Sequence, residues 1–212
     1  MQEIKNLTDY KLALRDRIVS SAMHAFANGI KATKMDDIAT GLGISKRTLY
    51  ELYDTKEKLL YECIRNHDME KGREMAAFAD NPRHDVVDII VYLYRRSIRE
   101  AAIVKPTFYE ELSMYPQIVD YMESQRSRQR EEFLRFIRRG IKEGYFRSDL
   151  NYDIILHIFE ALGKHMRHEH LYEQYSFEEL FFNMLFITLR GICTSKGIEK
   201  LDRSIGQDLQ MP

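Results

Sequence analysis

The chain has little that would break or staple a fold. Four prolines and ten glycines in 212 residues, beside 44% hydrophobic residues, describe a compact helical protein with ample length for a core. Cysteine is nearly absent: Cys63 and Cys193 lie far apart with no C-x-x-C spacing. With no signal peptide at the start, they read as two small core side chains in a reducing cytoplasm, not as a redox pair. Charge of one sign is not in excess either. A formal net charge of -1 excludes a wholesale nucleic-acid coat, so any affinity for DNA has to be local. The longest apolar run, around Leu180 to Cys193, is interrupted by Asn183, Thr188 and Arg190 and falls short of the roughly 20 residues a membrane span needs. Carriers of catalysis are missing too. There is no H-E-x-x-H, no phosphate-cradling glycine loop, no G-x-S-x-G, and no glutamate with a histidine three residues later as a di-iron bundle requires. We therefore expect no enzyme, no cofactor and no metal.

What is present is concentrated in Thr33 to Leu60. Thr33 is a candidate helix cap with Asp36 as the third helical position, and Met35, Ile38, Ala39 and Leu42 follow at helical spacing. Gly41 and Gly43 flank Leu42 where the chain has to turn, and glycine accepts the positive φ of such a turn. Ser45 then caps a second short helix, SKRTLYELY, whose Leu49 and Leu52 can face inward while Lys46, Arg47, Thr48 and Tyr50 stay free. A cationic, hydroxyl-bearing first turn is what a recognition helix offers the major groove. Asp54 with Glu57 forms a further candidate capping box, opening a longer helix at Thr55 and Lys56. Ahead of the pair, Leu14, Ile18, Ala22 and Ala25 or Phe26 make the apolar face of a supporting helix that stops at Asn28-Gly29. Residues 1 to 50 carry eight Lys/Arg against five Asp/Glu, a local excess of three positive charges.

In order and spacing this segment resembles the TetR family of bacterial transcriptional regulators. The resemblance rests on Gly29, Thr33, Ile38-Ala39, Gly43-Ile44-Ser45, Leu49-Tyr50, Tyr53 and Lys56-Glu57-Lys58-Leu59, and covers roughly the first 60 residues. Leu52 stands where many members carry a phosphate-touching histidine, which weakens one expected backbone contact. Arg47 stands where glycine is frequent, which makes it a candidate base contact. The resemblance implies an all-α protein with an N-terminal three-helix helix-turn-helix DNA-binding domain, residues 1–55, and a C-terminal helical ligand-binding and dimerisation domain, residues 56–212. It further implies a ligand-responsive regulator, most often a repressor, that binds a palindromic operator as a homodimer and is controlled allosterically. Expected DNA contacts are Ser45, Lys46, Arg47 and Thr48 on the recognition helix, with Thr33, Tyr50, Tyr53 and Lys56 beside it.

The remainder reads as helices. One runs from Lys56 to about Phe78 and breaks at Asp80-Asn81-Pro82; the next carries Val87, Ile90, Tyr94, Ile98 and Ala101 on one stripe. After PTFYEELSMY, a single long helix is expected from Pro116 to Gly140 or Gly144. Its apolar stripe of Ile118, Met122, Phe133, Ile137 and Ile141 is interrupted by Gln125 and Gln129. Two amides in a core stripe suggest polar handles in a cavity for a mostly apolar effector, with Tyr92, Phe108, Tyr109 and His157 as further candidates. The competing reading is an exposed middle third. His165, His168 and His170 beside Glu169 have a spacing that zinc could use, but their charged surroundings favour a solvated helix end. SFEELFFNMLFITLRGIC is apolar nearly all round, so it should pack on the body and on a partner subunit. With the preceding helix it gives the expected dimer interface: Ile155, Phe159, Leu162, Phe181, Met184, Leu185 and Thr188. Ile198, Leu201, Ile205 and Leu209 suggest a short docked tail helix. The rival functional reading is a helical small-molecule carrier or enzyme that keeps the helix-turn-helix as scaffold.

Overall fold

The computed structural model describes residues 2–171 and 174–205. The expected all-α class is what these residues form: α1 (Gln2–Phe26), α2 (Met35–Gly41), α3 (Lys46–Leu52), α4 (Lys56–Ala79), α5 (Val86–Ala101), α6 (Pro106–Leu112), α7 (Pro116–Ser124), α8 (Arg126–Lys142), α9 (Tyr152–His168), α10 (Phe177–Ile192) and α11 (Ser195–Ile205). Extended pairing among the described residues is limited to an isolated antiparallel bridge between Phe146 and Cys193. No described helix is long and apolar enough to cross a membrane. The chain divides into two compact units, residues up to 72 with 103–123, and residues 73–102 with those from 124 onward.

In the first unit Leu14, Ile18, Ala22 and Phe26 form the inner stripe of α1. They are buried with Ile38, Ala39, Leu49, Leu59, Leu60 and Cys63. Burial pushes the Cys63 thiol up to about 12, so it behaves as a small apolar side chain. The same core takes in Val104, Phe108, Leu112 and Ile118 from far along the chain. Two hydrogen bonds fix that segment: Lys105 N–H to the Ala27 carbonyl, and Lys31 N–H to Glu111 Oε2, both 2.9 Å. Phe108, expected to line a ligand cavity, is thus a core residue of this unit, and Tyr109 sits exposed with its ring edge-to-face on Phe108.

The second unit is organised on α5, which opens with a capping box of Asp85 and Asp88. Its Val86, Val87, Ile90, Val91 and Tyr94 pack with Ile137 of α8, Leu185, Leu189 and Ile192 of α10, and Leu201 and Ile205 of α11. The tail stripe therefore docks as expected through Ile205, while Leu209 lies outside the described residues. At Gly140 a Cβ would stand 2.0 Å from the Phe146 ring, so only glycine lets α8 approach it this closely. Arg139 gathers the end of α4 and the start of α5: it donates to the carbonyls of Ala79 (2.7 Å) and His84 and to Glu143 Oε1 (2.6 Å). Glu143 in turn accepts the Val86 N–H at 2.9 Å.

The single helix expected after Pro116 is instead two, α7 and α8, parted at Gln125. No apolar residue stands between Met122 and Phe133 to hold a continuous buried stripe. Met122 is itself exposed, and the Gln125 amide donates to Ser124 Oγ (3.0 Å).

Candidate nucleic-acid interface

The helix-turn-helix is built by local chemistry. Gly43 takes φ +65°, and Gly43 and Ile44 donate back to the carbonyls of Thr40 and Ala39, both at 3.1 Å, which folds the chain tightly between α2 and α3. Ser45 caps α3, accepting the Thr48 N–H at 3.0 Å, and its hydroxyl also pairs with that of Thr48 at 2.8 Å. Leu49 is fully buried beneath the helix and Leu52 packs on the same core. Lys46, Arg47, Tyr50 and Glu51 are exposed.

The charges of α3 run against its dipole. Cations occupy the first turn, where the helix is positive, and Glu51 sits near the negative C-terminal end, the reverse of what helix stability favours. The protein compensates within itself: Lys46 pairs with Asp36 of α2, and the Arg47 Nε–H donates to Glu51 Oε1 at 2.8 Å. The Asp36 hydrogen bond raises the Lys46 ammonium above its ordinary value, and Glu51 does the same for Arg47, so both stay charged. A first turn held cationic at a cost to the helix is suited to an external anion.

Four expectations around this face are corrected. Thr33 does not cap α2, whose N-cap is Lys34 with no side-chain bond; the Thr33 hydroxyl is directed to the carbonyls of Gly29 (2.8 Å) and Ala25 (3.1 Å), closing the end of α1. Lys56 is not poised outward. Its ammonium donates to the carbonyls of Ile30 (2.8 Å) and Thr33 (3.0 Å), satisfying the loop between α1 and α2. Tyr53 is only 2% exposed, so its side chain is core rather than DNA contact; its hydroxyl is buried beside Arg15 and Glu62, and burial pushes its pKa up to about 12. The cap of α4 is Thr55, which accepts the Lys58 N–H at 3.2 Å, while Asp54 pairs with Lys58 at 2.7 Å. Sequence reasoning does not name Asp36 and Glu51 as partners of Lys46 and Arg47, although the four-residue spacing of Arg47 and Glu51 is legible in the sequence.

The residues expected to bind ligand are divided between the two units. Phe108 and Tyr109 belong to the first unit; Tyr92, Gln125, Gln129 and His157 belong to the second. There Gln129 and His157 are exposed, Gln125 is half-buried, and Tyr92 stacks on Phe78 with ring centroids 4.2 Å apart. Among the described residues no three His, Cys, Asp or Glu side chains are grouped to hold a metal ion. His168 instead lies 2.9 Å from Glu169. Of the expected dimer residues, Ile155, Phe159 and Phe181 pack on the core of their own unit, Leu185 is buried, and Met184 and Thr188 are half-buried. The outward apolar stripe of α9 is Ile154, Ile158 and Leu162, and on α10 Ile187 is 71% exposed.

Residues 18–63 match the model of the bacterial regulatory proteins of the tetR family. Over 193 residues the chain is 28% identical to the HTH-type transcriptional repressor KstR2 of Mycolicibacterium smegmatis, an alignment spanning 86% of this chain and 92% of that protein. Among solved structures, a transcriptional regulator from Saccharomonospora viridis in complex with choline superposes with a TM-score of 0.69 at 21% identity, covering 86% of this chain and 98% of its own. The ketosteroid transcriptional regulator KstR2 of Mycobacterium tuberculosis superposes with a TM-score of 0.55 at 23% identity, covering 85% and 95%. The family match falls on the capped turn and cationic helix described above, and the similarity to a repressor extends well beyond it: residues 18–63 match the tetR-family DNA-binding segment, and the chain is similar to TetR-family transcriptional repressors over most of its length.

Proposed function

We propose that the protein is a ligand-controlled repressor that acts in the cytoplasm as a homodimer on a two-fold symmetric operator, with no catalytic activity. The observation that carries this reading is the first turn of α3: Lys46 and Arg47, exposed and charged against the helix dipole on a rigid glycine turn. Residues 1–55 would serve as reader, with Lys46, Arg47, Thr48 and Tyr50 facing DNA, and two copies would enter major grooves about 34–36 Å apart. Residues 56–212 would hold the effector and the dimer contact. Ile154, Ile158, Leu162 and Ile187 are the apolar surface this contact would bury.

The effector would be mostly apolar with a few hydrogen-bonding groups, and Tyr92 and Gln125 are the half-buried residues suited to meet it. The Saccharomonospora viridis protein carries choline and the mycobacterial one is named for ketosteroids; both suit a body adapted to small organic molecules. Helix α4 is the proposed connector. Lys56 ties its first residue to the loop before α2, and Arg139 ties its last residue to α8.

Enrichment of random duplexes by the purified protein, followed by gel shifts with enriched and scrambled DNA, tests the reading. A palindrome bound far more tightly than scrambled DNA is expected. Failure to prefer any duplex would instead favour a carrier or enzyme that keeps the helix-turn-helix as scaffold.

A further inference from the structure

The pair formed by Arg47 and Glu51 is poorly made for holding a helix together. Both side chains are largely exposed, 88% for the arginine and 62% for the glutamate. The acid lies four residues C-terminal to the base, the weaker orientation for such a pair, and it sits toward the helix end where the dipole disfavours it. Its geometry has another consequence. Glu51 Oε1 engages the Nε–H at 2.8 Å, which pins one edge of the planar guanidinium and leaves the two terminal nitrogens as a fork. A fork of two parallel N–H donors is the complement of guanine O6 and N7, the pairing that reads this base in the major groove.

We propose that Glu51 is a specificity-determining residue: it orients Arg47 to read one guanine in each half-site. The inference rests on α3 being the reading helix. A free arginine on a flexible stem can turn its charge to whichever phosphate or base is near, and so rewards wrong sequences almost as well as right ones. Bound at Nε, it keeps one direction. The Glu51 carboxylate also repels the phosphate backbone, so the pair suppresses sequence-independent binding while supporting the selected contact.

The test uses the full-length protein and a duplex enriched by the wild type from random DNA, with every single-base-pair variant of it and a scrambled duplex, read by fluorescence anisotropy at fixed salt. Arg47→Ala should reduce discrimination at one guanine per half-site by about tenfold or more. Glu51→Ala should reduce discrimination at that same base pair and bind the scrambled duplex as tightly as the wild type or more tightly. Glu51→Gln keeps an acceptor oxygen for the Nε–H and should retain most of the wild-type preference. The inference is overturned if Glu51→Ala leaves the preference intact, weakens all duplexes alike, or alters a different base pair, the last meaning that Glu51 touches a base itself. A wild type that prefers no duplex would remove the reading-helix assignment as well, and is distinguishable from these outcomes because it precedes any variant.

Discussion

Two exposed faces of this molecule are built on opposite chemistry. On α3 the solvent meets Lys46, Arg47, Tyr50 and Glu51; on α9 and α10 it meets Ile154, Ile158, Leu162 and Ile187. Single exposed aliphatics are ordinary, but three at four-residue steps make a continuous apolar strip along one side of a helix. As the proposed DNA contact, the charged face would gain by releasing counterions from DNA, so its affinity would fall with salt. As the proposed dimer contact, the apolar strip would gain by leaving water and be nearly indifferent to salt, so its occupancy would depend on protein concentration. On the proposed function the two faces would be binding surfaces that respond to different variables, and that separation can be attacked from either side.

The largest effect is expected at the apolar strip. Glutamates at Ile158 and Ile187 together should leave a folded monomer at micromolar concentration in sedimentation, and operator affinity should fall about a hundredfold or more as bivalent binding is lost. A double variant that remains dimeric would move the interface elsewhere. The next effect concerns Lys56. Because its ammonium satisfies backbone carbonyls, Lys56→Met should lower stability by about 1–3 kcal/mol in urea unfolding while leaving the salt slope of DNA binding unchanged. A slope reduced by about one would return Lys56 to the phosphate backbone.

Acid should act on the second unit. Burial works to raise the Asp85 carboxyl, and hydrogen bonds from Lys200 and Tyr145 outweigh it, so its folded pKa lies below the ordinary value. A depressed carboxyl contributes stability above its unfolded pKa, about 4, and loses it as pH falls through the lower folded value. Asp85→Asn should therefore be less stable than wild type at neutral pH, with the gap closing below about pH 4. A gap that stays constant there would assign the loss to capping alone. The smallest effect is expected from Tyr53→Phe. The hydroxyl it deletes is buried beside Arg15 and Glu62, which also pair with each other, so stability should fall by no more than about 1 kcal/mol and DNA affinity should not change. A clear drop in affinity would place Tyr53 at the DNA after all.

The helix-turn-helix was legible because its determinants are local: a glycine at positive φ, Ser45 three residues before the N–H it caps, Leu49 beneath. The errors beside it are all non-local. Thr33 and Lys56 are consumed by carbonyls of the α1 end and the loop that follows it, and no pattern around either residue announces those partners. Phe108 is drawn into the reader's core because the backbone at Lys105 and the side chain of Glu111 bond to residues some 80 positions earlier. On α9 two apolar stripes run side by side, Ile155 with Phe159 and Ile154 with Ile158; periodicity finds both but cannot say which one the rest of the unit covers. The break at Gln125 was visible as an interrupted stripe, and the absence of apolar residues between Met122 and Phe133 is its physical cause.

The central claim, that α3 is a base-reading helix presented in pairs, is tested most directly by the sequence the protein selects. Enrichment from random duplexes should yield an inverted repeat with half-site centres about one helical turn apart, each half containing a base pair whose preference Arg47→Ala removes. Enrichment of a sequence without two-fold symmetry, or a preference that Arg47→Ala leaves untouched at every position, would contradict the account.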